Sequence, residues 1–359
     1  MSSTEWGQPG PGFPEGGGAP GAQHRPTWLK LTVLVALLMA VGWVLLLSAQ
    51  YCSTGKPLGS LPGVPAPLAN LFNKVSFQYV ASIDGLQNPM GVAVGQDGRV
   101  YVTESGGERK IHIYNGQGQE VGSFAPPATE SPDAVPVYLA VSPNSSVYVS
   151  DRSADAIFVF SPDGVFKGKV APPQGFEDWH PLGLTFDQAG NLYVTDVTPD
   201  KHRVIVMDPA GTLKLSFGSQ GEADGQFWYP NGIAVDSQGR IYVADSNNGR
   251  MQAFDKDGKL LFKINRGMGA GDLSMPRGIA VDSDNRLLIA DTSIGAVQVY
   301  GITGSAGSDP QKAPLEFLGS FADAGSGTPL QFPNGLALDG QGKVYVTDRT
   351  NNRVQEWQY

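Results

Sequence analysis

The chain has 359 residues, a net charge of −9 at pH 7 and a single cysteine, Cys52. One cysteine excludes an intramolecular disulfide framework and a Cys-rich zinc module. From residue 75 onward, 21 Lys/Arg face 32 Asp/Glu, a net charge of −11, so this part is a poor candidate for binding nucleic acid or other polyanions.

Three segments of different composition precede residue 75. Residues 1–27 are predicted to be a disordered Gly/Pro-rich tail, because the first 26 residues hold seven Gly and five Pro without apolar periodicity. Residues 28–50 are predicted to be a transmembrane helix and signal anchor, since Leu31 to Ala49 are 19 uncharged residues. A cleaved signal peptide is the alternative. Residues 51–74 are typical of a Pro-rich linker.

The charges beside this helix predict its orientation. Arg25 and Lys30 precede the helix and Lys56 follows it. Because basic residues favour the cytoplasmic side, we expect a single-pass cell-membrane protein whose chain beyond residue 50 is extracytoplasmic.

Residues 75–359 repeat one unit, seen most clearly from Tyr229 to Asp255. Apolar runs alternate with turns such as Ser237-Gln238-Gly239, in which Gly, Asn and Asp accept positive φ angles readily. A fourth run, Leu260 to Ile264, follows the next turn. One unit is therefore predicted to be a four-stranded antiparallel meander.

Two anchor residues show that the unit occurs six times. The acid that ends the second run lies 13 residues after the residue that opens the first run. The opening residues are Gly91, Tyr138, Gly183, Gly232, Gly278 and Gly335. The acids are Glu104, Asp151, Asp196, Asp245, Asp291 and Asp348. The spacings of 47, 45, 49, 46 and 57 residues fit four-stranded propeller blades.

The predicted fold is therefore an all-β, six-bladed β-propeller. The first run of each unit is apolar at consecutive positions, which places it innermost, beside the axis. The last unit ends after three runs, whereas a strand-like segment, Phe77 to Ile83, precedes the first unit. We expect this N-terminal strand to complete the last blade.

The motifs P-x-G-[IVL]-A-[VL]-D, [IV]-Y-V-[AT]-D and N-x-R-[VM]-Q resemble the NHL repeat of six-bladed propellers. The resemblance covers residues 75–359 and is most specific in the fourth and sixth units. The second unit departs from the motif because Tyr138 replaces its opening glycine. In the second and fifth units, Ala156 and Ala296 occupy the position five residues after the acid that Arg250 and Arg353 occupy in the fourth and sixth units.

The resemblance implies that one face of the ring gathers the residues just before each inner strand and those just after each acid. Partners usually meet such a face. The first set is Met90, Val137, Leu182, Asn231, Arg277 and Asn334. The second set includes Arg152, Asn247, Asn248, Arg349, Asn351 and Asn352.

Catalytic and metal sites have little support in the sequence. The six acids recur in every unit, which favours a structural role through hydrogen bonds to nearby backbone N–H groups and ion pairs Asp245–Arg250 and Asp348–Arg353. The first set contains no carboxylate, unlike the calcium-dependent lactonases of this fold. The amidating lyases of this fold use a His-bound zinc ion, whereas residues 75–359 contain only His112, His180 and His202, of which the last two could lie close together.

Aromatic residues stand out in two loops that lead into inner strands. The resemblance implies that Phe227 and Tyr229 are buried between blades. Trp179 and Trp228 lie outside the motif. With nearby arginines they have the composition of an interface hot spot, and packing within the loops is the alternative. The predicted binding residues are Trp179, His180, Trp228, Asn231, Arg277, Asn334, Arg152 and Arg349.

We therefore expect a membrane-anchored, extracytoplasmic, non-catalytic platform that binds a protein, peptide or glycan through this face. No cofactor, metal or nucleic acid is expected. The alternative is a metal-dependent hydrolase or lyase, lactonase-like or amidating-lyase-like, with its site at the channel mouth. A purely structural spacer or sensor is a third class, and fold alone does not decide among them.

Overall fold

The computed structural model describes residues 75–265, 271–304, 314–322 and 328–359. These ranges belong to the second of the two units into which the chain divides, Lys74–Tyr359. The predicted tail (1–27), membrane helix (28–50) and linker (51–74) lie outside the described residues. Within the described residues, no helix has the length and apolar character needed to span a bilayer.

The described chain forms 24 strands in six four-stranded sheets, which are the predicted blades. Blade 1 contains β2 (Pro89–Val94), β3 (Val100–Glu104), β4 (Ile111–Tyr114) and β5 (Glu120–Phe124). Blade 2 contains β6 (Pro136–Val141), β7 (Val147–Asp151), β8 (Ala156–Phe160) and β9 (Phe166–Lys169). Blade 3 contains β10 (Pro181–Phe186), β11 (Leu192–Asp196), β12 (Arg203–Met207) and β13 (Leu213–Phe217).

The remaining blades follow the same plan. Blade 4 contains β14 (Pro230–Val235), β15 (Ile241–Asp245), β16 (Arg250–Phe254) and β17 (Leu260–Ile264), with a 3₁₀ turn at Ser246–Asn248. Blade 5 contains β18 (Pro276–Val281), β19 (Arg286–Asp291), β20 (Ala296–Ile302) and β21 (Leu315–Phe321). Blade 6 contains β22 (Pro333–Leu338), β23 (Lys343–Asp348), β24 (Arg353–Gln358) and the N-terminal β1 (Gln78–Asp84).

The ring closes as predicted, because β1 pairs antiparallel with β24. Gln78 lies opposite Gln358, and Asp84 lies opposite Arg353. The ring of Phe77 stacks on that of Phe321 in blade 5, with centroids 4.4 Å apart. The first and last described segments of the propeller are therefore held together in one sheet.

Apolar cores fill the spaces between neighbouring blades. Each of six large clusters contains buried side chains from two consecutive blades, and one of them joins blade 6 to blade 1. In that cluster Tyr345 of β23 packs with Val92 of β2. The second strands are almost wholly buried, whereas the fourth strands, such as β5, are partly exposed. Burial between blades is therefore the main apolar contribution to stability.

A β-bulge begins every inner strand and explains the opening glycine. In blade 3, Pro181 pairs with Asp196 but Leu184 pairs with Val194, so the inner strand has one extra residue. A Cβ on Gly183 would lie only 1.9 Å from the carbonyl oxygen of Asn231 in blade 4. The repeat has glycine here because the next blade approaches the backbone too closely for a side chain.

Hydroxyl groups on the second strands also join adjacent blades. Thr195 Oγ1 accepts the Gly183 N–H at 2.7 Å and donates to the Asn231 carbonyl at 3.0 Å. The equivalent hydroxyls are those of Thr103, Ser150 and Thr347. This bond was not predicted, although a Thr or Ser directly before the acid in four units was a signal for it.

Candidate functional site

The six residues expected just before the inner strands lie inside those strands, each in the bulge beside the opening residue: Met90, Val137, Leu182, Asn231, Arg277 and Asn334. They mark one end of the central channel, which together with the turns that follow the acids is here called the channel mouth. A cavity of about 320 Å³, the mouth cavity, lies among them. It is lined by Met90, Val137, Arg152, Asp155, His180, Pro181, Leu182, Val197, Tyr229, Asn231, Asn247 and Arg277.

The Tyr138 side chain reaches across the channel to two other blades. Its hydroxyl donates to Asn231 Oδ1 of blade 4 at 3.3 Å and accepts from Asn334 Nδ2 of blade 6 at 3.1 Å. Burial raises the pKa of the Tyr138 phenol, which therefore stays a neutral hydrogen-bond donor. The unit that departs from the glycine pattern thus supplies the side chain that ties three blades together across the axis.

Three arginines from different blades meet in a second, adjoining cavity of about 230 Å³, the arginine cavity. They are Arg152 from the turn after β7, Arg277 from β18 and Arg349 from the turn after β23. The lining residues are Asn88, Met90, Ser105, Val135, Val137, Arg152, Arg277 and Arg349, none of them Asp or Glu. The structure thus brings together three of the predicted binding residues.

The arginine cavity has a strong local positive charge in an otherwise acidic propeller. Burial and the neighbouring guanidinium groups of Arg277 and Arg152 lower the pKa of Arg349. The ring of Phe332 lies 5.2 Å from the guanidinium carbons of both Arg277 and Arg349. Cation–π contacts of this kind partly offset the repulsion between the two cations.

His180 and Asp155 form a dyad on the wall of the mouth cavity. His180 Nδ1 lies 2.8 Å from Asp155 Oδ1, and about two-fifths of each side chain is exposed. With Nδ1–H donating to the carboxylate, Nε2 is left free to accept a proton. The predicted site residue His180 therefore gains a partner, Asp155, that sequence analysis did not single out.

The predictions for the aromatic residues of the two loops have different outcomes. Trp179 is only 4% exposed and packs with Ile157 and Leu192 between blades 2 and 3, so its prediction as an interface residue is wrong. Trp228 is 41% exposed, as an interface residue should be. Phe227 is buried as expected, but Tyr229, expected in the core, is 47% exposed and lines the mouth cavity.

The predicted structural role of the six acids is confirmed by their hydrogen bonds. Each acid accepts a backbone N–H, at 2.6 to 3.0 Å, from the segment that leads into the inner strand of its own blade. The donors are Gln87, Val135, His180, Trp228, Ser274 and Gln331. The acids therefore fix the loops that build the channel mouth.

Ion pairs complete this arrangement in three blades. The predicted pairs Arg250–Asp245 and Arg353–Asp348 form at 2.7 and 2.9 Å. Arg203 makes the equivalent contact with Asp196 at 2.8 Å. The Arg203 pair was not predicted, because the longer turn places Arg203 seven residues after the acid instead of five.

The three histidines of the propeller have different surroundings. His202 is buried, its Nδ1 lies 3.3 Å from the Tyr229 backbone N, and its ring packs on the Tyr229 ring. His112 on β4 contacts Glu120 at 3.0 Å. Among the described residues, no group of three or more His, Cys, Asp or Glu side chains is placed to hold a metal ion.

Comparison with known families identifies NHL repeats in this chain. The NHL repeat model matches residues 227–254, 273–300 and 330–357, which lie in the last three blades. The chain is thus a six-bladed β-propeller that carries NHL repeats. Comparison with curated proteins gives no significant match.

Solved structures of similar fold include two lyases and a dehydrogenase. A streptogramin B lyase is 18% identical, with a TM-score of 0.54, over 79% of this chain and 97% of that one. A catalytically inactive virginiamycin B lyase variant from Staphylococcus aureus, with quinupristin, is 15% identical, with a TM-score of 0.54, over 79% and 100%. PQQ-bound aldose sugar dehydrogenase from Streptomyces coelicolor is 16% identical, with a TM-score of 0.52, over 79% and 98%. At such identities the likeness extends to the fold alone.

Proposed function

We propose that this propeller is a non-catalytic binding platform that holds a protein, peptide or glycan at the channel mouth. The observation that carries the proposal is the exposed Tyr229 on the wall of a cavity of about 320 Å³, with the exposed Trp228 next to it in the chain. Asn247 and Arg277 line the same cavity and offer polar contacts. The predicted residue Asn231 is buried, and its amide is bonded to Tyr138, Tyr229 and Ser246. Aromatic and Arg side chains around a rigid concavity are typical of binding hot spots.

The test measures binding of the full chain to peptide and glycan arrays. Replacing Trp228 and Arg277 together by Ala should abolish binding of the ligands that the wild type retains, because both anchors are lost. Leu213→Ala, an exposed apolar residue on the outer strand β13, is the matched control and should keep binding. Undiminished binding by the double variant, with an unchanged circular dichroism spectrum, would refute the proposal.

A second candidate, a lyase or hydrolase, is favoured by the His180–Asp155 dyad. His180 Nε2 would take a proton from the ligand, and Asp155 would hold the ring and stabilise the imidazolium. The similarity of fold to streptogramin lyases makes quinupristin a reasonable first compound. His180→Gln should abolish any conversion of quinupristin by the full chain, detected by liquid chromatography with tandem mass spectrometry.

Elemental analysis tests the metal-dependent form of the enzyme alternative, because that form requires a stoichiometric ion. Protein dialysed without chelator should contain less than about 0.1 ion of zinc or calcium per chain if the platform proposal holds. A ratio near one would favour the metal-dependent enzyme and direct the search to the channel mouth.

We also propose that residues 28–50 anchor the chain in the membrane with the propeller outside the cytoplasm. The support is the uncharged run from Leu31 to Ala49 and the basic residues before it. Protease added to intact cells should degrade the propeller, and alkaline extraction should leave the full chain in the membrane fraction. Release by alkali would contradict the anchor.

A further inference from the structure

We propose that the channel mouth recognises a compact ligand group with two or more negative charges, held in the arginine cavity by Arg152, Arg277 and Arg349. The inference rests on the binding function proposed above and names the class of ligand. The group is an oxyanion of small volume, a phosphoryl group or a pair of carboxylates. Arginine binds such groups through paired, charge-assisted hydrogen bonds.

The first support is that these three arginines, unlike most others described, form no ion pair with a carboxylate of the described residues. The described residues include ten arginines, and six of them pair with a carboxylate within 4 Å. Three of the other four line the arginine cavity. Since the protein pairs most of its arginines, this convergence of three without a carboxylate partner among the described residues is specific to the cavity.

The second support is a buried donor on Arg277, a residue that lines both cavities. Arg277 Nε is buried and has no hydrogen-bond partner within the described part of the chain. The Arg277 guanidinium donates to Asn334 Oδ1 at 3.3 Å and lies over Phe332. A buried donor left without an acceptor destabilises the free protein, and an anion in the cavity would remove that cost.

The third support is the repulsion among the three arginines, which favours a ligand group with two negative charges over a group with one. Three guanidinium groups repel one another, and a group with two negative charges relieves more of that repulsion than a group with one. A long polyanion is disfavoured, because the surrounding propeller carries a net charge of −11 and repels it. A cavity of about 230 Å³ instead suits one small charged group of a larger ligand.

The adjoining mouth cavity accounts for the remainder of the ligand. The two cavities share four lining residues: Met90, Val137, Arg152 and Arg277. Tyr229 and Asn247 lie on the wall of the mouth cavity, away from the arginine cavity lining. A ligand can therefore place its anionic group between the arginines and its uncharged part against Tyr229.

Calorimetric titration of the full chain with inorganic phosphate, malonate and acetate tests the inference. Wild-type protein should bind phosphate or malonate at least tenfold more tightly than acetate, because two charges meet three cations. Binding of phosphate with no binding of malonate would identify a phosphoryl group, and the converse a dicarboxylate. Failure of both to bind at about 10 mM would overturn the inference.

Matched charge variants locate the site. The double variant Arg152→Gln/Arg349→Gln should weaken the tighter anion at least tenfold, and Arg277 is left in place because it also contacts Asn334. Lys167→Gln on the exposed strand β9 removes one charge elsewhere and should bind as the wild type does. An unchanged affinity in the double variant would overturn the inference. Loss of anion binding with Trp228-dependent array binding intact would leave the platform proposal standing.

Discussion

Glycine at the opening position is required by the next blade and not by the local turn. A Cβ on Gly183 would lie 1.9 Å from the Asn231 oxygen and 3.0 Å from Thr195 Oγ1. The backbone of two blades would therefore have to separate to admit one methyl group. The same approach recurs at Gly232, where the Arg277 oxygen would lie 2.1 Å away.

Gly183→Ala should consequently destabilise the propeller by about 1–3 kcal/mol, the usual range for overpacking. Equilibrium urea unfolding followed by tryptophan fluorescence gives the free energy of unfolding. Gly116→Ala is the control, because its Cβ would meet no atom closer than 4.0 Å, and its stability should change by less than about 0.5 kcal/mol. Equal stability of the two variants would show that the blades can move apart freely.

The roles of residues that recur in every blade could be predicted from the sequence, and those of residues outside the repeat mostly could not. The glycines and acids were predictable because each serves the same backbone contact in nearly every blade. Tyr138 was noted only as a departure, since its partners Asn231 and Asn334 come from two other blades. Trp179 and Trp228 lie in equivalent loops, yet one is buried and one exposed, because loop packing depends on residues outside the motif.

His202 should make stability depend on pH. Burial lowers the pKa of His202 from its usual 6.5, although the Phe227 carbonyl and the carboxylates of Asp196, Asp245 and Asp200 oppose this effect. The unfolded chain therefore binds the proton first as the pH falls. The stabilisation is complete above about pH 6.5 and is progressively lost below it.

His202→Gln should remove this component. Between pH 7.5 and pH 5.5 the wild type should lose about 1 kcal/mol more unfolding free energy than the variant, within the limit of about 1.4 kcal/mol per pH unit for one proton. Urea unfolding at both pH values measures the difference, and pH 8 gives the reference at which His202 is neutral in both states. Parallel pH profiles for the two proteins would contradict the assignment.

At the level of elements, β1 is the strand on which ring closure depends. The sequence placed it at Phe77 to Ile83, one residue from the observed Gln78–Asp84, because the last unit lacked a strand and the chain offered one. The register could not be predicted, since a bulge between Tyr79 and Ala81 shifts it. Counting strands was therefore enough to predict that β1 closes the ring, but not to predict which residues of β1 and β24 pair.

Deleting residues 75–84 from the full chain should lower the melting temperature by at least about 10 °C. The deletion leaves β24 as an unpaired edge and uncovers apolar side chains, including Trp357, which Tyr79 contacts at 6.0 Å between centroids. Circular dichroism follows the transition. Removing ten residues from the linker, 60–69, is the control and should leave the melting temperature unchanged, whereas equal melting of both deletions would show that β1 is dispensable.

At the scale of the whole propeller, the closed ring means that the fold does not depend on which blade contains the break in the chain. Every blade packs on two neighbours through an apolar cluster, and blade 6 differs only in taking its outer strand from the N-terminus. Because Gln78 lies opposite Gln358 in the sheet, a short connection can join the propeller's two ends. The break in the chain can then move to another blade without loss of an inter-blade contact.

A circular permutant should therefore keep the fold. In this variant a short Gly/Asn linker joins residue 359 to residue 75, and the chain opens between Ala210 and Gly211 in the turn from β12 to β13. Strand β13 then closes blade 3 from the new N-terminus, as β1 closes blade 6 in the natural order. We expect one cooperative thermal transition within about 5 °C of that of residues 75–359, since the packed surfaces are unchanged. Two separate transitions would mean that blade 6 is closed by an interaction that blade 3 cannot reproduce.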